Sequence, residues 1–360
     1  MIRKKRVLKV LFQEKTRFVL GKLDLCSDIE ELRKGQTKLL TDLYFPTFSR
    51  TTLTCLSQGS ILGPFLFFIY INDIEEATKE FSIRLFADDT SLTLTDKNLD
   101  LLIEKANVAF NPIYEWLCAN KPSLNLSKTK YIIFQPRQNL YLPLQLAGQY
   151  LDQISSTKYL GLIIDCHLSW QDHIDVIASK ISRNINIMTK VKPLLGSQTL
   201  ISLCYAFIYP CLTYGCILWG NNYAAPLSEI VRLQNKAIRI INDVPLQEHI
   251  TPHYVKLGLL KFSDIVKLNT CQFLYDHVYG DKSSELTLFN FSFVSEQHNY
   301  ATRSSQLQHL SFDFYRINIR KFCPTIIGKY YWNNIPLSIR LKSSKHSFRQ
   351  SLFRYYFAQY

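Results

Sequence analysis

FADDTSLTLT, residues 86–95, sets two adjacent carboxylates, Asp88 and Asp89, between stretches that alternate apolar and polar side chains. Ile83, Leu85 and Ala87 alternate before the pair and Leu92 and Leu94 after it, the period-two pattern of a half-buried β-hairpin. Two ionised carboxylates a few ångströms apart repel by about 1 kcal/mol in water, and by more at a partly buried tip. A purely structural turn avoids that cost with Asn-Gly or Asp-Gly. Two readings follow: a solvated turn, or a seat for divalent cations that converts the repulsion into coordination. Two such ions about 4 Å apart can activate a hydroxyl and steady the leaving group of a nucleotidyl transfer.

Upstream, Ser60 is placed to cap a helix with Pro64 near its first turn, predicted to run to about residue 80 and to be buried on every side in its apolar first half. Residues 99–116 have helical spacing, with Leu102, Ala106, Ala109, Phe110 and Ile113 near one face, and Pro112 weakens the pattern late. Strand-like pieces follow at 131–134 and 159–164, the second interrupted by Gly161. Helix dominates from His173 to about Asn242 and returns near 317–329 and 348–357, whereas residues 1–50 are mixed and poorly patterned.

The 360 residues are 47% hydrophobic and 13% aromatic, enough for packed cores and too apolar for a disordered chain. A net charge of +13 points to a polyanionic partner. The charge is uneven: residues 1–22 hold eight Lys/Arg against Glu14 alone, residues 300–360 hold ten against Asp313 alone, and residues 61–110 hold nine acids. Nine scattered cysteines with no C-x-x-C pair favour neither a disulfide framework nor a zinc module and read as reduced thiols, so an intracellular location, nuclear or cytoplasmic, is expected. The N-terminal apolar run is broken by Lys9 and too short for a signal peptide; Arg3 to Arg6 read as a solvated charge run or an import patch. Residues 200–219 carry no charge and are long enough to cross a bilayer, but Pro210 and Gly215 interrupt them, so a buried helix pair is expected and no membrane. Pro252 argues against zinc at His249 and His253.

Gln58-Gly59-Ser60-Ile61-Leu62-Gly63-Pro64, the apolar run 65–71 with Asn72-Asp73, and Phe86-Ala87-Asp88-Asp89 together closely resemble the palm of non-LTR retrotransposon reverse transcriptases of the jockey-like kind. The resemblance implies an α+β fold: a partial polymerase palm, a small antiparallel sheet with packed helices, then a helical thumb and a mixed, mostly helical C-terminal region. It implies Gln58, Gly59 and Ser60 beside template and incoming nucleotide, and Asp88 and Asp89 as catalytic ligands of two Mg²⁺ ions. Gly59 would let backbone approach a base or sugar as a side chain would not. Residues 124–130 resemble the family's Asn-x-x-Lys-Thr segment, which implies Lys128 near the released pyrophosphate, where a cation neutralises or protonates the leaving oxygen. A solvated loop lysine is the alternative. Tyr159-Leu160-Gly161, Asp165, Trp170 and His173 resemble the primer-gripping hairpin and the start of the thumb, His173 being structural rather than catalytic. Gly328 with Trp332-Asn333-Asn334-Ile335-Pro336 resembles the segment that commonly ends such reading frames. Its basic, aromatic setting suits phosphate contacts and base stacking, with core packing as the other reading of those rings.

The expected divisions are a poorly defined basic segment (1–50), a partial palm (51–170), a thumb-like domain (171–245) and a basic C-terminal region (246–360). The family carries a further metal-binding aspartate well before the Gln-Gly-Ser turn; the nearest echo is Leu23-Asp24-Leu25-Cys26-Ser27-Asp28, too near the turn and without the following Lys-Ala-Phe. Cys55-Leu56-Ser57 stands where Gly-Val-Pro is usual, and Pro122 interrupts residues 120–124. The expectation is therefore an RNA-directed DNA polymerase fragment that lacks its first carboxylate and its fingers and is catalytically incomplete. Its partners would be an RNA template, a DNA primer or RNA:DNA duplex, and a deoxynucleotide if active. The alternative is a non-catalytic module binding RNA or RNA:DNA.

Overall fold

Val7-Leu8-Lys9-Val10-Leu11, in a stretch whose sequence shows little pattern, forms the strand at the centre of the main sheet. The computed structural model describes residues 6–13, 68, 71–87, 89–120, 129–134, 143–146, 148–280, 291–297, 300–315 and 318–360. These fall into two units, Met1–Thr157 with Asp165–His167, and Lys158–Ile164 with Leu168–Tyr360.

In the first unit β1 (Arg6–Gln13) lies antiparallel between β3 (Asp89–Asp96) and β4 (Lys130–Phe134), with β2 (Ser82–Phe86) outside β3. Helix α1 (Leu99–Asn120) covers one face of this sheet. Leu102, Ala106, Ala109, Phe110 and Ile113 pack on Leu8, Val10, Ile83, Leu92, Leu94, Tyr131 and Ile133, so the expected hairpin and helical stripe both form. The helix runs through Pro112, which sits on its exposed side where water can take the lost bond. Burying an apolar side chain contributes about 1.5–3 kcal/mol, so several of them outweigh the roughly 3 kcal/mol that an interior proline costs. The helix expected to reach residue 80 does not: Asn72–Glu76 is a 3₁₀ turn and residues 77–81 are not helical. Asp73 and Glu76, three apart, repel on one helix face, and no cation lies in the last turn. One short pair, β5 (Gln145–Leu146) with β6 (Gln149–Tyr150), turns at Gly148, and β7 (Asp152–Gln153) adds to β4 in parallel.

The piece expected as one strand over 159–164 is a hairpin, β8 (Ser156–Tyr159) and β9 (Leu162–Asp165), because Leu160 and Gly161 both take left-handed backbone angles. That is the geometry a two-residue hairpin turn demands.

The second unit is helical: α2 (Gln171–Val191), α3 (Ser197–Leu203), α4 (Tyr209–Thr213), α5 (Cys216–Trp219), α6 (Ala224–Asn242), α7 (Thr251–Leu257) and α8 (Phe262–Tyr279). Shorter helices follow: α9 (Arg303–Gln306), α10 (Asn318–Lys321), α11 (Pro324–Asn333), α12 (Leu337–Arg340) and α13 (Lys345–Phe357). The uncharged run 200–219 is broken by a π turn at Cys204–Ile208 and by Gly215. Among the described residues no helix is long and apolar enough to cross a membrane. Gly215 has φ +59°, and a Cβ there would lie 2.9 Å from Leu162 Cδ2. One core joins Ile174, Ile181, Trp219 and Ile230 to Leu268, Trp332, Phe348 and Tyr356. Pro252 opens α7 rather than breaking a helix, and His253 pairs with Glu248 at 2.9 Å.

Candidate active site

The turn between β2 and β3 carries Ala87, and Asp89 opens β3. Phe86 pairs with Asp89, so Ala87 and Asp88 are the two residues between the strands; Ala87 has φ +49°. Asp88 lies outside the described residues. Asp89 is half-buried at the first position of β3, and across the other side of that strand its register partner is Gln13.

Alternation puts Leu8, Val10, Leu92 and Leu94 against α1, so Asp89, Ser91 and Thr93 take the opposite face of the sheet. Their register partners are Gln13, Leu11 and Lys9 on β1, and Phe86, Arg84 and Ser82 on β2. Lys130 of β4 shares that face through its pairing with Leu11. Phe86, Arg84 and Lys130 are exposed. Lys9 is only half-exposed, and burial pushes its ammonium down to about 8. This face thus carries Asp89, Lys9, Arg84 and Lys130 together with the buried Leu11, Ser91 and Ile132, so the donors that reach solvent on it are Arg84 and Lys130 at its flanks and, in part, Asp89 and Lys9. The sequence reading passed over Lys9, Arg84 and Lys130; the alternation of Lys9 with Leu8 and Val10 was the available signal. Among the described residues, no group of three or more His, Cys, Asp or Glu gathers to hold a metal.

Gln58, Gly59, Ser60 and Lys128, and the aspartate echo at Asp24, also lie outside the described residues. Tyr159, Leu160 and Gly161 belong to the second unit, where the Tyr214 hydroxyl donates to the Leu160 carbonyl at 2.5 Å and fixes the turn. A Cβ on Gly161 would sit 3.2 Å from the Tyr214 ring, at a backbone angle of +82° that disfavours one anyway. Asp165 accepts the His167 N–H at 3.0 Å and closes a local turn.

His173 is buried edge-on to Trp170 and Trp219, and its Nδ1 accepts the Ile163 N–H at 3.3 Å. Burial, then the nearby Lys180 charge, lowers its pKa, so it stays neutral with its proton on Nε2. The structural reading of His173 agrees with this geometry. The C-terminal aromatics divide: Trp332, Phe348 and Tyr356 are core, while Tyr330 is exposed. Asn333 clamps Leu310 by accepting its N–H (2.8 Å) and donating to its carbonyl (3.0 Å), so the Trp-Asn-Asn-Ile-Pro stretch is a packing device. Gly328 lets α11 approach α8, since a Cβ would lie 2.5 Å from Leu274 Cδ1.

The reverse transcriptase (RNA-dependent DNA polymerase) family matches residues 11–164. The probable RNA-directed DNA polymerase from transposon X-element of Drosophila melanogaster is 27% identical over 195 residues, covering 51% of this chain and 21% of that protein. The RNA-directed DNA polymerase from mobile element jockey of the same species is 25% identical over 201 residues, 52% of this chain and 22% of the relative. The probable RNA-directed DNA polymerase from transposon BS, also of that fly, is 22% identical over 228 residues, 60% of this chain and 25% of the relative. The chain therefore spans about a fifth to a quarter of the length of these relatives.

Proposed function

Residues 11–164 belong to the reverse transcriptase family, of the jockey-like kind, and from that premise we propose that the inherited chemistry of this chain is metal-dependent, RNA-directed DNA synthesis centred on Asp88 and Asp89. The observation that carries the proposal is the hairpin turn itself. A non-glycine residue in left-handed conformation costs about 1–2 kcal/mol, and adjacent carboxylates add about 1 kcal/mol of repulsion. Asn-Gly would avoid both, so the turn is built for something other than turning.

Carboxylate oxygens are the hard donors Mg²⁺ prefers, which fits Asp88 and Asp89 as its ligands. Bound there, the metal would supply charge neutralisation at the transferring phosphoryl group. In this reading the first unit is a partial palm and residues 171–245 are a thumb. Gln58, Gly59 and Ser60 seat template and nucleotide, Lys128 neutralises the departing pyrophosphate, and the Tyr159-Leu160-Gly161 turn steadies the primer. Lys9, Arg84 and Lys130 offer the same sheet face to backbone phosphates.

The strand beside Asp89 carries no Asp or Glu, and the register partner of Asp89 on it is Gln13. On that register the chain by itself holds metal weakly and extends primers poorly or not at all. The test is primer extension on an RNA template with Mg²⁺ or Mn²⁺, alongside Mn²⁺ titration. Weak Mn²⁺ binding lost in Asp89→Asn, without extension, supports the proposal. Robust extension abolished by Asp89→Asn establishes the polymerase and removes the deficiency; Mn²⁺ binding indifferent to Asp89→Asn removes the site.

The same Gln13 register favours a second reading, an RNA or RNA:DNA binding module without catalysis. Binding through several phosphates would then weaken by orders of magnitude between about 50 and 200 mM salt. An affinity that hardly moves ends this reading.

A further inference from the structure

Residues 312–315 and 318–322 of the second unit expose aromatic rings in a stretch whose one acid is Asp313. Phe312, Phe314 and Tyr330 are 58%, 79% and 57% exposed, and Tyr223, at the start of α6, is 54% exposed. Beyond Asp313 the sequence contains no Asp or Glu to its end, and Asp313 itself is paired with the buried Lys329 at 2.9 Å. That bond ties the segment to α11. Its other end is held by Phe322, whose ring meets Tyr223 edge-on at 4.7 Å with the Lys321 ammonium 6.0 Å from its centroid. Arg320 and Lys321 are exposed on α10. Buried Lys329 and Arg340 are engaged internally, Arg340 donating to the Gln308 and Ile335 carbonyls, whereas no bond to an acid is formed by Arg320 or Lys321 among the described residues.

We propose that Phe312, Phe314, Arg320, Lys321 and Phe322, with Tyr223 and Tyr330, form a binding surface for single-stranded RNA. Exposed rings interleaved with cations, the one carboxylate among them (Asp313) being paired with Lys329, are what an unpaired strand requires: stacking surfaces for bases and positive charge for the backbone. An interface core for a protein partner would instead be depleted of charge. The surface rests on the nucleic-acid reading above and adds to it the strand type and its location, away from the Asp-Asp turn in sequence.

The experiment is fluorescence anisotropy of a labelled oligouridylate with the full chain and variants, repeated over a salt series. Phe314→Ala and Tyr330→Ala are expected to weaken binding by about 5- to 150-fold for each ring that stacks a base. Arg320→Gln with Lys321→Gln is expected to reduce the slope of log K against log salt by about 1.4, from about 0.7 per phosphate contact on single strands. All four side chains are exposed, and unchanged melting temperatures verify folding. RNA binding that survives these substitutions overturns the surface and leaves the nucleic-acid reading standing, whereas absence of RNA binding by the unaltered chain overturns both. Self-association abolished by the ring substitutions, without RNA binding, would show that the rings cover a second copy instead.

Discussion

Gln13→Asp places a third carboxylate opposite Asp89. Directly opposed residues of an antiparallel pair have Cα atoms about 4.5–5.5 Å apart and share one face of the sheet, and the register of β1 with β3 makes positions 13 and 89 such a pair. A unit charge and a dication about 4 Å apart attract by about 2 kcal/mol even in water, twice the value for two unit charges. The substitution should therefore tighten Mn²⁺ binding about 30-fold. Without metal, the added repulsion should lower stability by about 1 kcal/mol. Calorimetric titration with Mn²⁺ and thermal melts with and without the ion measure the two effects. The neutral Gln13→Asn should change neither. Arg6→Asp, at the far end of β1, is a control of similar kind: seven residues of strand span about 23 Å, beyond the Debye length of physiological salt. A gain below twofold for Gln13→Asp, or an equal gain for Arg6→Asp, would refute the argument that this turn holds metal and lacks a ligand from β1.

Lys9 gives a pH dependence with the opposite sign to that of a paired lysine. Its pKa is lowered from 10.5 to about 8 by burial, so the folded state loses its proton first and stability rises as pH goes from about 8 to 10.5. The full difference would be about 3 kcal/mol, but solvent at the half-exposed ammonium reduces it to about 1–2 kcal/mol. Lys9→Met should therefore stabilise the first unit by that amount at pH 7 and flatten its denaturation midpoint above pH 8; a midpoint that falls between pH 8 and 10 in the unaltered chain contradicts the assignment. Gly328→Ala should destabilise the second unit by about 1–3 kcal/mol, because the new methyl must displace Leu274 from a packed core, measurable as a shift in urea midpoint. A neutral result would mean that α11 and α8 are not held at this distance.

Alternation around residues 86–95 was enough to determine the hairpin, and spacing alone determined α1, because each pattern reports a local period of the backbone. The family resemblance was likewise legible, since Asp88 and Asp89 are contiguous with the strands that carry them. Only tertiary structure revealed that residues 6–13 supply the central strand: an eight-residue run containing Lys9 looks unpatterned until its partners, almost eighty residues or more away, say which face is which. The same holds for the neutral residue opposite Asp89, which follows from register and from nothing local. Among the aromatics, composition identified the richness of residues 330–356 in rings but not which were buried. Trp332 and Phe348 went inward and Phe312 and Phe314 outward, because burial is settled by the helices that pack against a residue, α8 above all, and a side chain's own chemistry does not name its neighbours.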